Sequence, residues 1–184
     1  MTELEKMMSG DLYQATDNTE LLNMLMETRD MCYDFNRLHP RNVKAQQALL
    51  RRLLGKTGER FKIIQPFFCD YGFNIRVGED FFANTNLVIL DEALVTFGDN
   101  VFIAPNCAFY TAGHPLDARQ RKQGLEYSLP ITVGNNVWIG GNVCVMPGVT
   151  IGDNTVIGGG SVVVHDIPAG VLAAGNPCRV IRTL

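Results

Sequence analysis

"ITVGNNVWIGGNVCVMPGVTIGDNTVIGGGSVVVHD", residues Ile131 to Asp166, repeats itself every six residues. Val133, Ile139, Val145, Ile151, Ile157 and Val163 keep that spacing without a slip, and glycine follows four of them, at Gly134, Gly140, Gly152 and Gly158. A second row, two positions earlier, runs Ile131, Val137, Val143, Val149, Thr155 and Ser161. A helix repeats every 3.6 residues and a strand every two, so a six-residue unit reads as a short strand plus a corner. One such unit cannot bury its aliphatic side chain, whereas stacked copies share a continuous interior, which is the logic of a solenoid. Glycine, and next best Asn or Asp, is expected to supply a positive-φ corner after each buried aliphatic.

Upstream the signature continues through Val77, Ala83 and Ile89, slips by two residues, and resumes at Phe97, Ile103 and Phe109, with Gly78 and Gly98 in the matching place. Between Phe109 and Ile131 it stops. The stretch opening "YTAGHPLDAR" (Tyr110–Arg119) is polar, charged and rich in turn residues, and an insertion of this length without secondary structure in a compact repeat is usually functional or disordered. His114 stands where the chain departs from the rigid wall, a place where a reactive group can be held accurately, and Glu126 and Asp117 share its loop. Residues 1–56 read instead as helical. "NTELLNMLMETRDMCYDFNRL" places Leu21, Leu22, Leu25, Cys32 and Phe35 near helical spacing behind a capping Asn18 or Thr19, and "NVKAQQALLRRLLG" carries an apolar face between Asn42 and Gly55. The expected organisation is a helical cap over 1–56, a β-solenoid over 57–168 with an inserted loop at 110–130, and a carboxyl-terminal segment over 169–184.

Composition narrows the function. Among 184 residues, sixteen basic and nineteen acidic side chains leave a net charge of −3 with no basic block, which argues against nucleic acid as a partner. No apolar run approaches the ~18 residues needed to cross a bilayer, and "MTELEKMMSG" lacks a signal-peptide core, so a cytoplasmic protein is expected. The five cysteines lie more than thirty residues apart, with neither zinc-site spacing nor a disulfide framework, and read as reduced, buried small hydrophobes.

The motifs "HP" after "TAG", "ITVGNNVWIGGNVCVMPGVTIGDNTVIGGGSVV", "VLAAGNPCRVIR", "CDYGFNIRVGEDFFANTN" and "MMSGDLYQATD" together resemble the maltose and galactoside O-acetyltransferases, the sugar-acetylating branch of the hexapeptide-repeat acyltransferases. The resemblance covers essentially the whole chain. It implies a left-handed parallel β-helix of three hexapeptides per coil, so that Val133 stacks on Ile151 and Ile139 on Ile157. It also implies acetyl transfer from acetyl-CoA to a hydroxyl of a sugar acceptor, without a metal, and a homotrimer with sites between subunits. His114 matches the catalytic histidine. Asp70 and Asn84 match acceptor-lining positions, with Asp70 standing where the galactoside branch has a smaller hydroxyl side chain, and Glu92 or the neighbouring Asp91 falls where the family has an acid. The CoA arm is expected along Gly141 and Gly159, with Val164 and His165 offering main-chain contacts and Arg179 and Arg182 meeting the nucleotide phosphates.

The chemistry follows from the residues as well. A sugar hydroxyl is a weak nucleophile, so its attack on a thioester needs a positioned base, typically worth 10²–10⁴-fold. His114 fills that role, and its second ring nitrogen needs a partner, either Glu126 or a backbone carbonyl. The oxyanion needs donors, for which Asn84 and nearby backbone amides are candidates. Serine or a xenobiotic as acceptor, a non-catalytic scaffold and a γ-type carbonic anhydrase are the alternatives, the last requiring three histidine ligands from His39, His114 and His165.

Overall fold

The computed structural model describes all 184 residues, and the hexapeptide units form a parallel β-helix. Each coil contributes one short strand to each of three sheets. The first sheet stacks Ile75–Val77, Val95–Phe97, Ile131–Val133 and Thr150–Ile151; the second runs from Phe61–Ile63 to Val171–Ala174; the third runs from Phe67–Cys69 to Val162–Val163. The register is that expected from the period: Val133 pairs with Ile151, Ile139 with Ile157 and Val145 with Val163. Val77, Phe97, Val133 and Ile151 form one inward column, with Ile103, Ile139 and Ile157 in the second and Ile89, Phe109, Val145 and Val163 in the third, all of them buried. Burying each such side chain stabilises by about 1.5–3 kcal/mol, so the columns are the main source of cohesion. Thr155 and Ser161, which end the second inward row, are also fully buried and satisfy their hydroxyls on main-chain carbonyls of Asp153, Pro168 and Gly158.

The corner chemistry differs from the expectation. The glycines that follow the inward aliphatics do not take positive φ. They are required because the next coil's backbone passes so near: a Cβ on Gly134 would lie 2.9 Å from the Asp153 nitrogen, and one on Gly78 2.6 Å from the Gly98 carbonyl oxygen. The left-handed residue comes two positions later, as Asp80, Asn86, Asn100, Asn106, Asn136, Asn142 and Asn154, with Gly148 and Gly160 completing the series. Asn tolerates this conformation better than other residues with a Cβ.

The amino-terminal residues close one end. Helix α1 (Glu3–Ser9) begins with a capping box between Thr2 and Glu5 and stops at the left-handed Gly10. Helices α2 (Thr19–Arg37) and α3 (Val43–Leu53) start at Asn18 and Asn42, whose side chains accept the Leu21 and Ala45 amides. Cys32, Phe35, Leu50 and Leu53 join the solenoid core, while Leu22 faces solvent. Gly55 is not a left-handed cap; the Phe73 carbonyl leaves its Cα no room for a side chain. At the other end Arg179–Thr183 folds back antiparallel on Val171–Ala174. No helix is long and apolar enough to cross a membrane.

Candidate active site

In three successive coils the chain takes a detour at the same corner, between the third sheet and the first. From Cys69 to Val77 and from Ile89 to Phe97 it uses eight positions where the regular unit uses six, and from Phe109 to Val133 it uses twenty-four. Above them, Val145 to Ile151 returns to six. The first detour carries Asp70, the second Asp91 and Glu92, the third His114 and Glu126. Departures that look scattered along the sequence are therefore stacked, and a cavity of about 290 Å³ opens there, lined by Asp70, Glu92, His114 and Glu126 with Leu90, Tyr110 and Met146.

The long detour is ordered rather than irregular. Ala112–Gly113 pairs antiparallel with Leu125–Ser128, which also pairs with Tyr13–Gln14 of the amino-terminal region. Helix α4 (Ala118–Lys122) caps itself on Asp117, whose Oδ1 accepts the Arg119 and Gln120 amides at 2.7 and 3.0 Å. Asp117 is thus occupied as a cap. Ser128 Oγ donates to the Met7 carbonyl at 2.9 Å and pins the far strand to α1.

This hairpin settles the two nitrogens of His114. Nδ1 lies 3.2 Å from the Leu125 carbonyl oxygen, and because a carbonyl only accepts, that geometry assigns the proton to Nδ1 and leaves Nε2 with its lone pair free. Glu126 meets the opposite nitrogen from the one anticipated for an orienting partner: its Oε1 stands 3.8 Å from Nε2, on the open side of the ring. Its Oε2 accepts the Tyr13 hydroxyl at 2.7 Å. Tyr13 lies inside the "MMSGDLYQATD" motif but belongs to no periodic pattern, and it is the antiparallel pairing of Tyr13 with Glu126 that brings it here.

The acids divide by burial. Asp91 is fully buried and is corrected from an acceptor ligand to a structural group: its Oδ1 accepts the Asp70 and Tyr71 amides at 3.1 and 2.8 Å, which fixes the turn presenting Asp70 to the cavity. Its Oδ2 is buried without a partner, and burial pushes its carboxyl up to about 6. Burial, then the adjoining Asp70 carboxyl, holds Glu92 well above the usual carboxylate range, so that it is protonated at neutral pH. Asn84 does not line this cavity within one chain; it sits at another corner with its Oδ1 accepting the Thr85 amide at 2.8 Å. A larger cavity, about 540 Å³ and mostly apolar, lies beneath α2, shares Asp70 and Leu90 with the first, and holds Cys32 and Cys69 with their sulfurs 3.8 Å apart.

Gly141 and Gly159 stack as the eighteen-residue spacing requires, the Gly160 amide donating to the Gly141 carbonyl at 2.8 Å. Val164 and His165 follow the last strand of the third sheet and are exposed, and Arg179 and Arg182 lie exposed on the closing strand, each donating one Nη1 hydrogen bond to a neighbouring carbonyl, of Cys178 and Thr183 respectively. The Cys178 amide donates to the Val162 carbonyl at 2.8 Å, which ties the start of that strand to the last strand of the third sheet. No group of three His, Cys, Asp or Glu side chains is arranged to hold a metal ion.

Comparison with known proteins gives the lineage of this arrangement. Residues 6–58 match the maltose acetyltransferase hexapeptide capping motif, and residues 130–165 match the bacterial transferase hexapeptide, in six repeats. The galactoside O-acetyltransferase of Escherichia coli is 46% identical over 185 residues, spanning 100% of this chain and 90% of that protein. The crystal structure of a maltose O-acetyltransferase from Clostridium difficile superposes with a TM-score of 0.98 at 47% identity, covering 100% of this chain and 98% of that one. A galactoside acetyltransferase solved in complex with coenzyme A superposes with a TM-score of 0.95 at 45% identity, covering 100% of this chain and 91% of its own. Full-length similarity at this level, together with the capping motif and the hexapeptide solenoid, makes this chain a member of the maltose and galactoside O-acetyltransferase family of hexapeptide-repeat acetyltransferases.

Proposed function

We propose that this protein transfers the acetyl group of acetyl-CoA to a hydroxyl of a sugar, with His114 as the general base. The observation that carries the reading is the ring geometry: Nδ1 is tied to the Leu125 carbonyl and Nε2 opens onto an acid-lined cavity. Nε2 takes the proton of the acceptor hydroxyl as its oxygen attacks the thioester carbonyl, the carbon–sulfur bond breaks, and the same proton passes to the departing CoA thiolate. Ionised carboxylates only accept hydrogen bonds, whereas a protonated one also donates. The Asp70 carboxyl beside a protonated Glu92, which donates as well as accepts, therefore suits adjacent sugar hydroxyls.

For acetyl-CoA we assign the pantetheine arm to the groove over Gly141 and Gly159, main-chain contacts to Val164 and His165, and the phosphates to Arg179 and Arg182. A relative solved with coenzyme A supports the choice of ligand. We assign a homotrimer in which Asn84 of a neighbouring subunit faces His114 and contributes to binding the acceptor or the oxyanion. The exposed column of Phe82, Phe102 and Trp138, the last two more than half exposed, is the kind of apolar surface a subunit contact covers. Five unpaired cysteines suit a reducing, cytoplasmic setting.

The test is free-thiol release from acetyl-CoA with glucosides, galactosides, maltose, serine and chloramphenicol, for the native protein and His114→Ala in parallel. Release driven by a sugar class that falls about 10²–10⁴-fold in the variant, with CoA binding intact, upholds the base assignment. Equal rates in the two proteins, or no response to any sugar, overturn it.

A further inference from the structure

The cavity contains one polar contact that the transfer reaction as described does not use. Tyr13 is 1% exposed, packed among Met7, Leu21 and Tyr71, and its hydroxyl is committed to Glu126 Oε2 at 2.7 Å. Burial, with the Glu126 carboxylate second, pushes the phenol far above its ordinary value, so at any working pH it is a neutral donor. The two residues are direct cross-strand partners, which fixes their side chains side by side. With Oε2 so held, Oε1 is left on the Nε2 side of His114, 3.8 Å away. No lysine or arginine lines the cavity, so the imidazolium formed in mid-reaction is the only cation facing these carboxylates.

We infer that Tyr13 is a positioning residue: its hydroxyl clamps Glu126 so that the free carboxylate oxygen meets Nε2–H once His114 has taken the acceptor proton. The clamp works in the transition state, where charge appears on the imidazole as it takes the acceptor proton. The proton moves from the acceptor oxygen to Nε2, is held there facing Glu126 Oε1, and leaves to the CoA sulfur as the carbon–sulfur bond breaks; Glu126 and Tyr13 end as they began. The amino-terminal region therefore reaches into the chemistry as well as covering the solenoid. This inference rests on His114 being the base.

The test is a double-mutant cycle on Tyr13→Phe and Glu126→Gln in the full-length protein, reading kcat, both KM values and Tm. Tyr13→Phe keeps the buried ring and removes one hydroxyl, so kcat is expected to fall about tenfold, the size of a lost hydrogen bond to a charged group, with KM for acetyl-CoA unchanged. Glu126→Gln is expected to lose more. The double variant is expected to be no slower than Glu126→Gln alone, because Tyr13 acts only through that carboxylate. Native kcat in Tyr13→Phe, or a double variant that loses the product of both effects, overturns the inference and leaves Tyr13 as packing. His114→Ala separates the two levels: if it stays active the base reading fails, whereas a dead His114→Ala beside a native-like Tyr13→Phe removes the clamp alone.

Discussion

Gly140 and Gly141 are neighbours, and replacing each in turn by alanine separates the wall of the solenoid from the groove on its surface. A Cβ on Gly140 would lie 2.5 Å from the Gly159 nitrogen and 2.9 Å from the Ile157 carbonyl oxygen, the acceptor of Gly140's own amide at 2.8 Å. Non-bonded heavy atoms settle near 3.5–4.0 Å, so adjacent coils must part by about 1 Å, and overpacking of this kind costs about 1–3 kcal/mol. At 2–4 °C per kcal/mol for a chain of this size, Tm should drop by roughly 2–12 °C. A Cβ on Gly141 meets only Pro105 O at 3.4 Å and Ala104 Cβ at 4.0 Å, which is ordinary contact. Gly141→Ala should therefore melt within ~1 °C of the native protein. Its methyl stands in the groove assigned to pantetheine, where one misplaced carbon is worth about 10–200-fold, so KM for acetyl-CoA should rise by at least about tenfold. Thermal melts and initial rates against acetyl-CoA decide both halves. A Gly140→Ala protein that melts like the native one refutes the close-approach argument, and native acetyl-CoA kinetics in Gly141→Ala refute the groove.

Asp91 gives a pH signature: its carboxyl rises from about 4 in the unfolded chain to about 6 when buried, so the native protein loses stability as pH climbs through that window. Asp91→Asn lacks that loss, and its Tm minus the native Tm should grow from pH 4 to 6; a constant difference counts against the buried charge. Phe109, with its ring centroid 5.0 Å from that of Phe97 in the inward columns, should cost about 3–5 kcal/mol as Phe109→Ala, read from the denaturant midpoint at unchanged m-value. If sites are shared between subunits, His114→Ala and Asn84→Ala refolded together should recover about a quarter of native activity from random assortment, although each alone is inactive. No recovery places both residues in one subunit's site.

The columns of the solenoid were legible because inward positions follow a strict count, and the helices because Asn18 and Asn42 cap an apolar face. The role of the glycines was not: a conformation that needs positive φ and a backbone that passes too near both select glycine, and a single chain does not distinguish them. His114 and Glu126 were visible as occupants of the break, yet the count could not say which nitrogen meets which partner. That depends on the hairpin register of Ala112–Gly113 and Leu125–Ser128. The two-residue slip after Ile89 read as imperfection in the repeat, and its meaning appears only when the coils are stacked and it falls beside Asp70 and His114. Asp91 and Glu92 are adjacent, and which one turns inward is set by that same irregular turn. Tyr13 stands inside the "MMSGDLYQATD" motif, but a two-residue strand has no period that would give its place or its partner.

All three detours leave from one corner, where backbone bonds join the coils at the detours' edges, from the Thr111, Val95 and Ile131 amides to the Leu90, Asn74 and Leu94 carbonyls, while the strand pairs that align the inward columns lie outside them. Length and composition at that corner can change without shifting the register of a single inward column. The fold thus offers an interchangeable mouth on a fixed barrel: transplanting the short turns at 70–74 and 90–94 from one member to another, with buried Asp91 kept, should exchange acceptor preference while leaving the groove assigned to the acetyl donor on the far coils as it was.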